Sequence, residues 1–348
     1  MDTVRIGIVG LGANTRLRHV PGLTACRGVE IVGVCNRRPQ STREAAAEFG
    51  IPKTYPDWES LVADDAIDAV VIGTWPYLHC PITLAALQAG KHVLTEARMA
   101  ASGRQAQRML DASRRHPELV AQIVPSPFGL RGDAVVKQML AAGRIGELRE
   151  AVVLATNDLL VDETMPLHWR QVEQYSGVNM LALGILHETL IRWVPDPIRV
   201  RAQTQTFIKQ RRDAESGEPA DVETADSVHV LTELPDAARG LYHLSGVICH
   251  GPAPQIRLHG TAGSIVYEFA PDRLLFAERG HELAEVELPA GGDGWRVEEE
   301  FIAAIRGEEQ VQFTDFATGV RYMEFTEAVA RSGRTGVAVA LPLDPGGQ

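Results

Sequence analysis

Over its first third the chain repeats one pattern: a short strand-like run, a break, then an amphipathic or alanine-rich stretch. The runs are Val4–Val9, Val29–Cys35, Ile67–Gly73, Lys91–Glu96 and Leu119–Val124. Short, β-branched runs with little polar alternation fit strands buried on both faces. Between them, Ser41–Gly50 reads as a helix stopped by its glycine, and an alanine- and leucine-rich helix ends at Gly90. Ser102 with Gln105 forms a capping box for the next helix. Strand and helix in alternation predict a parallel, doubly wound sheet over residues 1–124, with ligands at the C-terminal ends of its strands.

Pro125-Ser126-Pro127 ends that regularity. Helices are expected at Asp133–Ala142 and around Asn179–Trp193. Partly alternating runs at Glu150–Ala155, Ile198–Phe207, Val228–Leu234, Gly240–Val247 and Gln255–His259 predict a mostly antiparallel sheet with one covered face. Lys209–Asp221 reads as a mobile hairpin loop, helices near Trp295–Ile305 and Phe316–Arg331 close the chain, and the tail LPLDPGGQ reads as frayed. The expected architecture is therefore α/β: a doubly wound parallel sheet in 1–124, and in 125–348 an α+β region built on a largely antiparallel sheet.

The chemistry begins where the first strand ends. In Gly10-Leu11-Gly12, Gly10 permits a tight turn and Gly12 lets backbone approach a diphosphate. Ala13 and Asn14 open the following helix, and Thr15 stands where G-x-G-x-x-G has its third glycine, a position that serves packing. Asn36-Arg37-Arg38 ends the second strand, where a dinucleotide fold meets the ribose 2′ position. The two arginines suit the 2′-phosphate of NADP; the alternative is NAD held through Asn36 with the arginines solvated. A net charge of −11 argues against non-specific nucleic-acid or anionic-membrane binding, and no apolar run is long enough for a membrane span. The N-terminus MDTVRIGIVG enters a strand directly, without a leader pattern. Cys26, Cys35, Cys80 and Cys249 lack C-x-x-C spacing and read as reduced, buried thiols of a cytoplasmic protein. No H-E-x-x-H or cysteine–histidine set suggests a metal, and no G-x-S-x-G or Walker pattern occurs.

Four segments, GIVGLGANT, IGTWPYLHCPITLAALQAGKHVL, TEARMA and GVNMLALGILHETLIRWV, together with QIRLHGTAGSIVYE, resemble the glucose-fructose oxidoreductase and inositol dehydrogenase (Gfo/Idh/MocA) family. The resemblance covers nearly the whole chain. It implies a Rossmann domain in 1–124 binding NADP or NAD, and an α+β domain in 125–348 whose large open sheet supplies substrate contacts on one face and oligomer contacts on the other. It also implies hydride transfer at a hydroxyl carbon of a sugar, cyclitol or related polyol, and a homodimer or homotetramer.

The departures from the family's pattern matter more. Glu96-Ala97-Arg98 replaces the family's Glu-Lys-Pro, so the lysine beside the nicotinamide is missing. Arg98, whose guanidinium stays protonated in proteins, cannot act as a base but could stabilise an alkoxide or bind an anion; otherwise it is a surface arginine. The aspartate four residues before the family's helix histidine is also missing. Counted from His187 it falls on Leu183; anchored on Gly184, the pair falls on Ala182 and Leu186. His187 remains the candidate acid–base, or else a packed helix histidine. The Thr74–His79 loop would lie beside the nicotinamide ribose, with Trp75 stacking on cofactor or sugar or else filling a core gap, and His79 structural or cofactor-adjacent; Glu96 joins the cofactor-binding set, and Gln122 would face the nicotinamide. Arg131, Asp158, His168, Trp169 and Asn179 carry groups suited to a polyhydroxylated ring, although loop residues of these types are also commonly just solvated. The altered catalytic pair leaves two alternatives to a dehydrogenase: an enzyme that retains its cofactor without net redox, as a glycoside-cleaving enzyme or epimerase, or a non-catalytic nucleotide- or sugar-binding relative.

Overall fold

In the computed structural model, which describes residues 3–344, Val4–Val9 forms β1 inside a six-stranded sheet. Val4, Ile6 and Ile8 are fully buried, each worth roughly 1.5–3 kcal/mol of hydrophobic stabilisation. The other strands are β2 (Val29–Cys35), β3 (Lys53–Thr54), β4 (Ala69–Ile72), β5 (His92–Thr95) and β6 (Ala121–Ile123), ordered β3-β2-β1-β4-β5-β6 with every pairing parallel. The strand order reverses between β1 and β4, and a ligand crevice opens at the strand ends at such a point. Helices α1 (Val20–Ala25), α2 (Pro39–Phe49), α3 (Trp58–Val62), α4 (Pro76–Gln88) and α5 (Gly103–Arg115) connect the strands. Gly50 closes α2 in the left-handed region at φ 66°, and Ser102 caps α5 by accepting from Gln105 N–H, as their residue types require.

The chain from Ser126 to Trp295, with the chain from Arg321, forms a second unit. Its sheet has nine strands: β7 (Leu148–Thr156), β8 (Arg199–Gln205), β11 (Ser227–Glu233), β12 (Arg239–Ser245), β13 (Gln255–Gly260), β14 (Gly263–Phe269), β15 (Asp272–Glu278), β16 (Ala284–Val286) and β17 (Val339–Ala340). A separate hairpin pairs β9 (Gln210–Arg212) with β10 (Pro219–Asp221) inside the expected loop. Only β7–β12 is a parallel pair in the large sheet. Besides the short α7 (Glu173–Ser176), the unit holds α6 (Asp133–Ala141), α8 (Leu183–Leu190) and the chain's last helix from Arg321 onward, whose Val136, Met139, Leu183, Leu186, Leu190, Phe325 and Val329 pack in one core on the sheet. The other face leaves the cross-strand neighbours Leu231 and Leu241 exposed.

Four expectations need correction. The helix expected over Asn179–Trp193 is only α8, because Leu181 sits at φ 45° and breaks it, so Asn179 is not on the histidine's helix. The tail from Leu341 is tied where it is described: Leu341 N–H donates to Ile198 O at 2.9 Å, and Leu341 and Leu343 pack on the core; residues 345–348 of that tail, like 1–2 at the start, lie outside the described residues. The domain division at 124/125 also fails as a single cut. Arg296–Val320 belongs to the first unit, bringing α9 (Val297–Arg306) against α1 and pairing Asp315 with Gln122. The last helix, α10 (Phe316–Thr335), begins in that returning segment. All four cysteines are free, but Cys249 is exposed and Cys26 half-buried rather than buried. No helix among the described residues is long and apolar enough to cross a membrane.

Candidate functional site

The turn leaving β1 and the exit of β4 pass so closely that neither tolerates a side chain. A Cβ on Gly10, whose φ is +85°, would lie 2.8 Å from Gly73 C and Thr74 N; one on Gly73 would lie 2.2 Å from Gly10 O and Thr15 Oγ1. Thr15 fills the missing glycine's place: it is buried, and its hydroxyl donates to Gly10 O at 3.2 Å. Gly12 differs. Its φ is ordinary, and a Cβ there would meet only Gly73 O, at a normal 3.6 Å. The fold therefore does not demand glycine at 12, and the helical stretch that begins beside it leaves Ala13 and Asn14 exposed. That open backbone at a helix N-terminus fits a dinucleotide diphosphate.

Asn36 is occupied in shaping this turn: its Oδ1 accepts from Leu11 N–H at 2.7 Å and its Nδ2 donates to Ser41 O at 3.0 Å. Arg37 and Arg38 are exposed, with the Arg37 guanidinium 5.6 Å over the Trp75 ring. The end of β2 and the loop after β4 thus meet through Arg37 and Trp75.

At the end of β5, Glu96 accepts from the Asn14 side-chain amide and from Ala97 N–H at 3.3 Å, and its Oε1 lies 3.1 Å from His19 Nε2. Burial pushes this carboxyl up, but His19 and Asn14 outweigh it and hold the group below its usual range. The other ring nitrogen of His19, Nδ1, is 2.5 Å from Glu298 Oε1. Neither His19 nor Glu298 was expected at the site; 279 residues separate them, and no local motif links them.

At His79 the structural alternative holds, and at Gln122 the cofactor assignment is corrected. His79 is fully buried, with Nδ1 2.9 Å from Arg98 O and Nε2 3.0 Å from Thr74 O, so it braces the two loops. Gln122 is fully buried and donates to Glu300 Oε1 at 2.9 Å and Phe313 O at 2.8 Å, turned to the returning segment. Arg98 is no surface arginine: only 5% of it is exposed.

In the second unit His187 is fully buried. Its ring stacks on Phe325 at 3.6 Å, Nδ1 lies 2.8 Å from Tyr242 Oη, and Nε2 is buried with no hydrogen-bond partner among the described residues. Burial, with the charge of Arg321, holds its pKa well below the ordinary value, so the ring is neutral at pH 7. This is the geometry of a core histidine, and it counts against the acid–base role expected of it. Leu183 and Leu186, at the alternative motif positions, are buried leucines, and Ala182 only caps α8.

The polar candidates do not form one cluster. His168 Nδ1 accepts from Arg170 N–H at 3.2 Å, and Arg170 stacks 4.3 Å over the half-buried Trp169, while Asp158 is exposed on the loop leaving β7. That loop is pinned by buried Arg211, which donates to Leu160 O and Asp162 O, each at 2.6 Å. Arg131 is engaged elsewhere, donating to Pro289 O at 3.1 Å and lying 3.9 Å from Asp272. Asn179 is buried and donates to Ser176 O at 2.6 Å.

Residues 4–123 match the model described as oxidoreductase family, NAD-binding Rossmann fold, and residues 134–266 match the GFO/IDH/MocA C-terminal domain. The chain is 25% identical over 360 residues to scyllo-inositol 2-dehydrogenase (NADP(+)) of Bacillus subtilis, covering 99% of this chain and 90% of that protein. It is 26% identical over 255 residues to levoglucosan dehydrogenase of Pseudarthrobacter phenanthrenivorans, covering 68% of this chain but 64% of that one. An uncharacterised oxidoreductase of Rhizobium meliloti is 32% identical over 149 residues, 43% of this chain and 44% of that one, so the match spans less than two thirds of the length of these last two. The fold is also that of levoglucosan dehydrogenase in complex with NADH and levoglucosan, with a TM-score of 0.87 at 23% identity, covering 98% and 100% of the two chains. The chain belongs to the GFO/IDH/MocA oxidoreductase family, with the NAD-binding Rossmann fold in its first unit.

Proposed function

We propose that this protein is an NAD(P)-dependent oxidoreductase acting on a secondary alcohol or ketone carbon of a sugar, cyclitol or related polyol. The observation that carries the reading is Gly12, a glycine the fold does not need at a helix start it leaves open. Gly10, Gly12, Ala13, Asn14 and Thr15 would hold the diphosphate, and Thr74, Trp75 and Glu96 would line the strand ends beside it. Arg37 and Arg38, with Asn36 in place of an acid, favour the 2′-phosphate of NADP over NAD. The nicotinamide, when bound, supplies hydride chemistry. The chain's own tasks are to orient the sugar and move a proton. Trp169 offers an apolar face to a sugar ring, and Asp158 and His168 offer hydroxyl contacts from the same loop region. The relatives' named substrates, an inositol and an anhydrosugar, fit such a surface. The exposed sheet face around Leu231 and Leu241 suits association of like chains into a homodimer or homotetramer, and the free thiols suit the cytoplasm.

One observation favours a second reading. Ala97 cannot carry a proton, and His187 is neutral and enclosed. Altered proton chemistry fits a cycle in which the cofactor is retained and regenerated. The reduced-nicotinamide absorbance band, followed against a polyol and keto-sugar panel, separates the two. Turnover supports the dehydrogenase. Tight binding without turnover, with cofactor that copurifies and resists dialysis, supports the cycle.

A further inference from the structure

We propose that His19 and Glu298 are a positioning pair for the cofactor cradle: Glu298 holds the His19 imidazole against Glu96, and Glu96 in turn fixes Asn14 on the first turn after Gly12. The inference rests on the cofactor reading above and adds to it two residues and a proton. The chain of contacts is continuous: Glu298 Oε1 to His19 Nδ1 at 2.5 Å, His19 Nε2 to Glu96 Oε1 at 3.1 Å, then Glu96 Oε1 to the Asn14 amide. The His19 ring has no solvent exposure. A ring between two carboxylates can donate from both nitrogens only when it carries both protons.

A separate observation shows that the helix makes room for this arrangement. Gly22 lies within α1 at an ordinary φ, where glycine is a poor helix former. A Cβ there would lie 2.7–2.8 Å from Oε2, Cδ and Cγ of Glu298. Glycine at 22 is thus explained by the approach of Glu298 to His19.

The charged and titratable groups around the pair are consistent with a protonated ring. Glu298 and its neighbour Glu299 come from α9, Glu96 comes from the end of β5, His79 acts on Glu96 through space, and Cys26 ends the helix that follows His19. Burial works against the ring's charge, yet the two carboxylates push its pKa up to about 9. The Glu96 carboxylate is therefore held in place through neutral pH and loses its clamp only in alkali.

The test is a nuclear magnetic resonance titration of the His19 ring in the full-length protein, paired with calorimetric affinities for NADH and NADPH across pH. Circular dichroism confirms that each variant is folded. In the wild type the ring should titrate near 9, and affinity should hold through neutral pH and fall by about threefold or more around pH 9.5. In Glu298→Gln both midpoints should move down together by about one pH unit or more. Gly22→Ala, which crowds Glu298 without altering charge, should reproduce the shift and decides the matter if Glu298→Gln does not fold. A wild-type ring titrating near its ordinary 6.5 overturns the proposal. So does a folded variant that is less heat-stable but keeps both pH midpoints, the outcome for a merely structural pair. A wild type that binds neither nucleotide defeats the proposed function and the pair's role at the cradle, while the ring titration still decides whether the clamp exists.

Discussion

Raising the pH from 6.5 to beyond 9 should weaken folding, and the size of the loss follows from one imidazole. His19 is buried between Glu298 and Glu96. Burial lowers its proton affinity, but the two carboxylates more than offset this and raise the pKa from 6.5 to about 9. A histidine whose pKa rises on folding stabilises the folded chain fully below its unfolded value and loses that contribution as the pH climbs through its folded value. At about 1.4 kcal/mol for each tenfold change in proton affinity, the contribution is about 3 kcal/mol. His79, His92, His187 and His243, held below their ordinary value chiefly by burial, act with the opposite sign, so stability rises towards 6.5 from the acid side. The curve should therefore peak near neutral pH. Beyond pH 9 the Cys35 thiol, which burial pushes up to about 11, adds a further loss. Urea unfolding followed by circular dichroism at successive pH values measures the curve. Glu298→Gln should flatten the segment between 6.5 and 9. Wild-type stability that is level or rising across that interval, or an unchanged slope in the variant, refutes the reasoning.

Other outcomes follow from single contacts. Arg37→Ala with Arg38→Ala should weaken NADPH binding by roughly ten- to a hundredfold, the worth of charge-assisted contacts, and leave NADH nearly unaffected; equal losses for both nucleotides in fluorescence titrations contradict the 2′-phosphate assignment. Glu188→Ala removes one half of a buried ion pair (Glu188 Oε2 to Arg192 Nη2, 2.5 Å) and should cost about 3–5 kcal/mol in denaturant unfolding; a cost below about 1 kcal/mol would show the pair to be solvated. His187→Gln should lower the melting temperature through loss of the Phe325 stack while leaving kcat and its pH profile within a few-fold; a lost limb of the pH profile would restore an acid–base role to the imidazole.

What the sequence disclosed and what it hid have physical causes. β4 was legible because a strand buried along its whole length is apolar throughout, β1 because only Arg5 interrupts its apolar run, and the glycine turn because Gly10 needs a positive φ. The Ser102 cap, made by its hydroxyl alone with Gln105 reaching back to Ala101 N–H rather than Ser102 N–H, and the stop at Gly50 were equally local. The destination of α9 was not legible. Its apolar face, with Val297, Phe301 and Ile302 buried, shows that the helix packs but not against which unit. The His19–Glu298 contact was hidden for the same reason, since a side-chain pair made by tertiary folding leaves no spacing to read. The helix around His187 was drawn too long because its apolar periodicity continues through Leu181, whose left-handed backbone interrupts it. β15 was missed because DRLLFAE, near the sheet edge, lacks clear alternation.

Whether the backbone around residues 10–15 seats a dinucleotide decides the function. Calorimetric titration of the wild type and of Gly12→Asp with NADH and NADPH tests it directly, because the structure has room for a side chain at 12 and the variant should remain folded. The account predicts one-to-one binding of at least one nucleotide by the wild type, and a loss of about a hundredfold or more in the variant as its carboxylate takes the diphosphate's place. Absence of binding of either nucleotide to the wild type, or equal affinity in the folded variant, would contradict it.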